Sequence, residues 1–426
     1  MNPRTGQARE WEITTLHSRM FFAAVLFIAA SSFASDSWPQ WRGPGGQGHS
    51  DAKGLPLTWS EKENVKWKSP DPGEGWSSPC IEGDLIWMTT SQNAGKSLRA
   101  VCYSLTDGKQ LHDVEVFSVE APEPKHKLNS YASPSPLIED GKVYVNFGTY
   151  GTACLDAKTG KKIWENRELK IDHENGPGST PMIHKDKIHL CCDGRDLQFQ
   201  AALDKATGKL VWKTDRSQPI NKGKDMKKAY GTPLVINVGG KDQVIATAAE
   251  AVYAYDVDTG KELWYVKYPG FSNVPRPVYG NGLLYVCTGF ARAEIWAIKP
   301  EGSGDLSASN VVWKAKIQVP TIPSPLLLGE RIYMVSDTGT LSCLDAKTGK
   351  EVWKQLLGGE YSSSPLFADG RIYLFDRAGV STVIEPGDTF KVLAKNTLED
   401  GFMASPAIAG KALILRTKKN LYRIEK

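Results

Sequence analysis

The sequence predicts an all-β fold: an eight-bladed β-propeller of four-stranded antiparallel blades, closed by an N-terminal strand that completes the last blade. Three observations predict it. A Leu-Asp-x-x-Thr-Gly-Lys segment followed by Trp eight residues after the Asp occupies 155–164, 203–212 and 344–353, and 255–264 repeats it with Tyr in place of Leu. A small residue precedes Pro at seven of eight steps, at Pro79, Pro136, Pro181, Pro233, Pro325, Pro365 and Pro406 but not Pro277, spaced 40 to 57 residues apart. Between the steps lie short β-rich runs such as Ile332-Tyr333-Met334-Val335 and Ile372-Tyr373-Leu374-Phe375, bounded by Gly or Asp turns. A period of about 40–50 residues with this alternation indicates blades, not helical repeats, and no window carries a helical stripe.

The chain is read in order from its amino terminus. Arg4, Arg9 and Arg19 precede an apolar run over 20–30, and Ser32-Phe33-Ala34 supplies small residues where a signal peptidase needs them. The run is far short of the ~20 residues of a spanning helix, so a cleaved signal over 1–34 is expected, translated from Met1 or Met20. No Cys follows it, which argues against a lipoprotein. Residues 35–62 read as an extension, and 63–426 as the ring.

Each blade begins at its Pro step, where Pro is tolerated because it opens a strand beside the central channel. A turn such as Glu139-Asp140-Gly141-Lys142 leads to the second strand, the third ends at Leu-Asp, and the Thr-Gly hairpin leads to the outer strand. The Trp then wedges against the neighbouring blade, a docking position filled by Trp67, Trp164, Trp212, Trp264, Trp313 and Trp353. After Pro406 the last unit stops before an outer strand, whereas Asn64-Val65-Lys66-Trp67-Lys68 is an outer strand with no blade ahead of it. Pairing the two closes the ring and removes both free edges. Blade 1 has His112 where Trp is expected, blade 5 stretches its hairpin from Ile298 to Trp313, and blade 7 (Ile384-Glu385-Pro386-Gly387) lacks the Trp.

Charge and cysteines exclude other classes. A net charge of +4 supplies no polyanion-binding field, so nucleic acid is not an expected partner. The seven Cys match no zinc spacing, and the adjacent Cys191-Cys192 reads as two thiols on opposite faces of a strand.

The Asp-x-x-Thr-Gly-Lys hairpin with its Trp resembles the tryptophan-docking motif of quinoprotein-like (pyrroloquinoline quinone repeat) eight-bladed propellers, over about residues 60–426. That superfamily includes quinone-dependent alcohol dehydrogenases and the outer-membrane assembly lipoprotein that scaffolds β-barrel insertion. The Trp38-Pro39-Gln40-Trp41-Arg42-Gly43-Pro44 start resembles uncharacterised exported quinone-repeat-like proteins. The resemblance implies the fold but not an activity, because docking tryptophans join blades with or without a cofactor. A dehydrogenase would need Glu, Asn and Asp ligands for Ca2+, an Asp base and a planar pocket, often beneath a vicinal disulfide. Cys191-Cys192 matches that last feature only superficially, and no residue here aligns with the base or the ligands.

The candidate site lies on the face shared by the loops leading into the innermost strands and the loops between second and third strands. The former carry Trp76, Tyr131, Tyr230, Asn273, Tyr361 and Phe402, either a plug for the ring's mouth or a stacking platform for a planar ligand, a sugar or a peptide. Asp172-His173-Glu174-Asn175-Gly176-Pro177-Gly178 is the densest polar set, where His173, Glu174 and Asn175 could hold a cation or move a proton. Asp193, Arg195, Asp196, Arg292, Glu294, Asp337, Asp376 and Arg377 fall on the same face. Arg276 stands where the other seven blades have Ser78, Ser135, Thr180, Thr232, Ser324, Ser364 and Ser405; its guanidinium needs an anion or carbonyl, from a ligand or from the channel itself. Lys222, Lys224, Lys227 and Lys228 form a basic loop, either solubilising or facing an anionic partner.

Together these readings favour an exported, soluble, monomeric, non-catalytic binding or scaffold propeller of the periplasm or cell envelope. Its partner would be an envelope protein or a small ligand, with no metal and no cofactor. The alternatives are a dehydrogenase of alcohols or sugars using pyrroloquinoline quinone with calcium, and a carbohydrate-binding propeller.

Overall fold

The computed structural model describes Met1, residues 37–218, Ile220 and residues 223–426. The expected signal, its cleavage site and Lys222 lie outside the described residues. Among those described, no helix is long and apolar enough to cross a membrane.

Eight antiparallel sheets form the blades, one for each Pro step. Blade 6 shows the pattern: Leu326–Leu328, Arg331–Val335, Thr340–Asp345 and Glu351–Leu356 pair in that order from the channel outward. Its two middle strands are buried on both faces because a blade is covered by a neighbour on each side, whereas the outer strand is largely exposed. The core is accordingly a series of apolar layers between blades. Tyr333, Val335, Leu341 and Cys343 of blade 6, for example, pack on Ile372, Leu374 and Ile384 of blade 7.

The repeat motif welds these layers at the rim. Asp345 Oδ1 accepts from Thr348 N (2.9 Å) and Thr348 Oγ1 (2.7 Å), and Asp156–Thr159, Asp204–Thr207 and Asp256–Thr259 form the same closed turn. The turn presents the carbonyl after the Asp to the preceding blade's Trp. Trp313 Nε1 donates to Ala346 O at 3.0 Å, and Trp164 and Trp212 reach Lys205 O and Val257 O in the same way. Gly349 has φ +72, and a Cβ on it would lie 2.5 Å from the Trp313 ring, so the turn requires Gly for its backbone and for the seat of the ring. Trp67 donates to Leu105 O and Trp353 to Gly387 O.

Three irregular positions are resolved in different ways. In blade 1, Trp87 of the second strand donates to Ala157 O at 3.2 Å, the bond a docking Trp would make, and stacks on His112 at 5.7 Å. Trp264 packs against blade 5, but its Nε1 donates to Gln243 within its own blade. The stretched blade 5 hairpin puts Gly304–Asp305 beside Trp264 as an added parallel strand, in place of a Thr-Gly turn. In blade 8, Val65–Pro70 pairs antiparallel with Asn420–Ile424, placing Trp67 opposite Arg423 and closing the ring.

Residues 37–50 of the segment read as an extension are packed inside the ring. Ser37–Trp38 pairs with Cys80–Glu82, the innermost strand of blade 1. The chain then crosses the channel: Pro39 O accepts from Ile138 N, Gln47 Oε1 from Tyr279 N and Gly48 O from Phe367 N, each at 2.8 Å. These bonds satisfy inner-strand amides that a hollow channel would leave unpaired by protein. Farther along, Trp59 is buried and its N–H donates to Asn396 Oδ1.

Candidate functional site

The innermost strands hang from a ring of side-chain hydroxyls just inside the mouth of the propeller. The N–H of Ser78 donates to Ser135 Oγ, that of Ser135 to Thr180 Oγ1 and that of Thr180 to Thr232 Oγ1, at 2.8 to 3.2 Å. The ring resumes with Arg276 N to Ser324 Oγ, Ser324 N to Ser364 Oγ, Ser364 N to Ser405 Oγ and Ser405 N to Ser78 Oγ, each at 3.0 Å. This is the physical reason for a hydroxyl before each Pro. The ring breaks between blades 4 and 5, where Arg276 has no hydroxyl to accept Thr232 N, and the guanidinium crosses the gap through Nε to Pro233 O at 3.1 Å.

Above the ring opens a funnel of about 550 Å3. Trp76, Tyr230, Phe271, Phe290, Ile322 and Met403 line its walls, and its floor is formed by Ser78, Ser135, Thr180, Thr232, Ser405 and Trp41 of the channel segment. Trp41 Nε1 donates to Ser405 Oγ at 3.2 Å. Each floor hydroxyl accepts a backbone N–H, and none donates to a protein acceptor among the described residues. Their protons are therefore free for the acceptor atoms of a guest, whereas the indole N–H of Trp76 is buried and only its ring faces the funnel.

Of the residues singled out from sequence, Trp76, Asn175, Lys228, Tyr230, Asp337 and Arg377 line this funnel, with the hydroxyl residues of its floor. Tyr230 is held by its hydroxyl, which donates to His173 O at 2.8 Å. Four other candidates from the same loops lie behind the wall. Tyr131 donates to Glu123 O, Asn273 to Tyr268 Oη, and Phe402 packs edge-on against Phe375 with ring centres 5.1 Å apart. Tyr361 is buried and its backbone N–H donates to Asp337 O. Arg276 lies below the floor and is 1% exposed, its partners being carbonyls. A position three to five residues before the Pro thus does not guarantee a side chain that faces the axis. Sequence reasoning missed Trp41, Phe271 and Phe290; the first lies in the motif-rich start, and only its path through the channel brings it to the floor.

The charged groups of this face are largely engaged with one another. Glu174, at φ +62, pairs with Lys228, whose burial lowers its pKa. Arg195 pairs with Asp172 at 2.7 Å, and Arg216 pairs with Asp193 at the same distance with both side chains buried. Asp337 accepts from Thr321 N, Thr321 Oγ1 and Ile322 N, and Arg377 donates to Ser362 Oγ and Tyr361 O. His173 is 5% exposed, and burial brings its pKa down to about 4, so it is a neutral packing residue near pH 7.

This architecture matches known proteins. A family model described as outer membrane protein assembly factor BamB matches residues 60–306 and 304–389. The chain belongs to this family. Among its relatives are a polyvinylalcohol dehydrogenase of Pseudomonas sp, 23% identical over 71% of this chain and 54% of the relative, and the assembly factor BamB of Shewanella oneidensis, 22% identical over 55% and 58%. The chain thus spans little more than half the length of either curated relative. The crystal structure of a quinohemoprotein alcohol dehydrogenase from Comamonas testosteroni superposes with a TM-score of 0.65 over 93% of this chain and 81% of that one, at 12% identity, a likeness of fold.

The relatives thus include both a dehydrogenase and an assembly factor. Among the described residues no three His, Cys, Asp or Glu side chains are grouped to hold a metal ion. Cys191 and Cys192 are free thiols, the former packed with Val244 and Ala246 and the latter with Leu190 and Phe199, on opposite faces of Lys187–Asp193. They form no shelf in the funnel. Among the described residues the funnel thus shows neither a cluster of acids for calcium nor a disulfide shelf for a quinone.

Proposed function

We propose that this protein is an exported, non-catalytic binding or scaffold propeller of the periplasm or cell envelope, with residues 1–34 removed as a signal and the funnel face as its binding surface. One observation carries the reading: the acids and cations around the funnel are largely paired or backbone-bonded, while the floor hydroxyls offer free donors between aromatic walls. Such a site is equipped to bind. The guest it suits carries oxygen acceptors at one end and flat apolar faces along its body, as do a sugar and an extended peptide end of an envelope protein.

The test is calorimetric titration of the purified protein with pyrroloquinoline quinone and Ca2+, alongside glycan and peptide panels read by tryptophan fluorescence. The expected result is no saturable quinone binding, and a fluorescence response to a glycan or peptide that Trp76→Ala abolishes. Micromolar quinone binding with calcium-dependent dye reduction would overturn the reading in favour of a dehydrogenase.

A further inference from the structure

Beneath the funnel floor the channel holds two arginines with no acid to meet them. Arg42 and Arg276 are 2% and 1% exposed. Arg42 Nη2 donates to Gln47 O at 2.9 Å and Pro325 O at 2.7 Å. Arg276 donates through Nε to Pro233 O and through Nη1 to Gly46 O at 3.2 Å and Trp41 O at 3.5 Å. Every one of these acceptors is a neutral carbonyl, and neither side chain forms an ion pair among the described residues. Arg42 Nε and Nη1 and Arg276 Nη2 are buried without any partner.

The two cations are neighbours. Arg276 grips the carbonyls of Trp41 and Gly46, one immediately before Arg42 and one in the turn that follows it. Burial and the charge of Arg276 together lower the pKa of Arg42 to about 9, and burial lowers that of Arg276 to about 10. The other titratable groups they feel are the imidazole of His49, whose pKa burial and Arg42 lower, and the thiols of Cys287 and Cys191, whose pKa values burial raises, so near neutral pH none of them supplies negative charge. Two adjacent buried guanidinium ions without a counter-charge are strongly destabilising, and three free N–H-bearing nitrogens are the donor set an anion requires. The glycine-rich turn closes tightly on them. A Cβ on Gly46 would fall on Arg276 Nη1, and one on Gly48 would lie 3.0 Å from Arg42 Nη2, which suits a one-atom ion better than an oxyanion with a body.

We propose that the propeller channel holds a small monovalent anion, of the halide class, between Arg42 and Arg276, pinning the amino-terminal segment to the inner strands. This is independent of what the funnel binds. Water alone would satisfy the donors and leave both charges uncompensated, and the experiment separates the two cases.

Urea unfolding of the purified protein is measured in sodium chloride and in sodium gluconate at matched ionic strength. Chloride is expected to stabilise saturably, so that above its dissociation constant each tenfold increase lowers the unfolding equilibrium constant about tenfold, with no such response to gluconate. Arg276→Ser restores the ring hydroxyl and removes one cation; it is expected to abolish the chloride response. Bromide-soaked crystals of the unaltered protein provide a readout that does not depend on the variant folding, with an anomalous peak expected within hydrogen-bonding distance of both guanidinium groups. Equal responses to chloride and gluconate, a chloride response that survives Arg276→Ser, or no bromide peak between the two arginines would each overturn the proposal.

Discussion

Gly260→Ala tests whether the repeat glycine is needed for its backbone alone or also as a seat for tryptophan. Gly260 has φ +72, and a Cβ there would lie 2.4 Å from Trp212 Cε3. Gly370 has the same φ of +72 with nothing within 4 Å of its Cβ position, so Gly370→Ala carries the backbone strain alone. That strain is about 1–2 kcal/mol for a left-handed L-residue. At Gly260 the ring must also retreat by about 1 Å, which forfeits a quarter or more of its contacts on that side, about 1 kcal/mol. The Trp212 Nε1 bond to Val257 O, already 3.3 Å, is lost with it, at a further cost of about 1 kcal/mol. The expected totals are about 3–4 kcal/mol for Gly260→Ala against about 1–2 for Gly370→Ala. Urea unfolding followed by tryptophan fluorescence gives the two values, and near-ultraviolet circular dichroism reports the displaced ring. Equal losses in the two variants would refute the seat and leave only the backbone argument.

Two other perturbations probe buried charge. Asp71→Ala strips the carboxylate from Arg416, a pair whose side chains are both fully buried, and should cost about 3–5 kcal/mol in urea unfolding; a loss below about 1 would show the pair to be dispensable. His189 is wholly buried with neither ring nitrogen partnered, and burial lowers its pKa to about 3. Below about pH 6.5 the unfolded chain takes up a proton that the fold refuses, so stability is complete above that pH and falls as pH drops toward the folded value, by up to about 1.4 kcal/mol per pH unit. His189→Leu should flatten this slope between neutrality and about pH 4 while the folded protein at neutral pH is unharmed; an unchanged slope would assign the acid sensitivity elsewhere, for instance to His173.

What could be read from the sequence follows from what repeats. The Asp–Thr turn, the Thr-Gly seat and the Trp recur because each blade interface poses the same problem, so the eight-bladed ring and its closure by Val65–Pro70 were legible from spacing alone. The hydroxyl before each Pro was visible as a pattern, but its use as an acceptor for the neighbouring blade's N–H depends on inter-strand geometry that no spacing encodes. The funnel was only partly legible. Trp76 and Tyr230 face the axis, whereas Tyr131 and Phe402, on corresponding loops, turn into packing because Glu123 O and Phe375 are there to receive them. The compensation at blade 1 was hidden for a similar reason: Trp87 arrives from the second strand, outside the repeat register, and delivers its N–H to the expected carbonyl.

The least legible part, residues 37–50, also explains the most about the rest. A ring of similar blades has an axis where no blade has a partner, and the inner strands leave amides facing it. A one-off segment must then fill the axis, and its contacts cannot repeat because each blade meets it at a different angle. Its residues accordingly serve single purposes: Gln47 for Tyr279 N, Trp41 for the funnel floor, Gly46 and Gly48 for close approach to the arginines. Arg276 belongs to the same logic. The hydroxyl ring opens at the blade where the segment's Gly46 and Trp41 carbonyls need a donor, and a guanidinium can reach them while still bridging to blade 4 through Pro233 O. With Val65–Pro70 completing the rim of blade 8 and residues 37–50 filling the axis, the amino-terminal side of the chain locks the ring from outside and from within. A cut between the two, within residues 51–64, should therefore leave the rim closed while loosening Trp41 from the floor of the funnel.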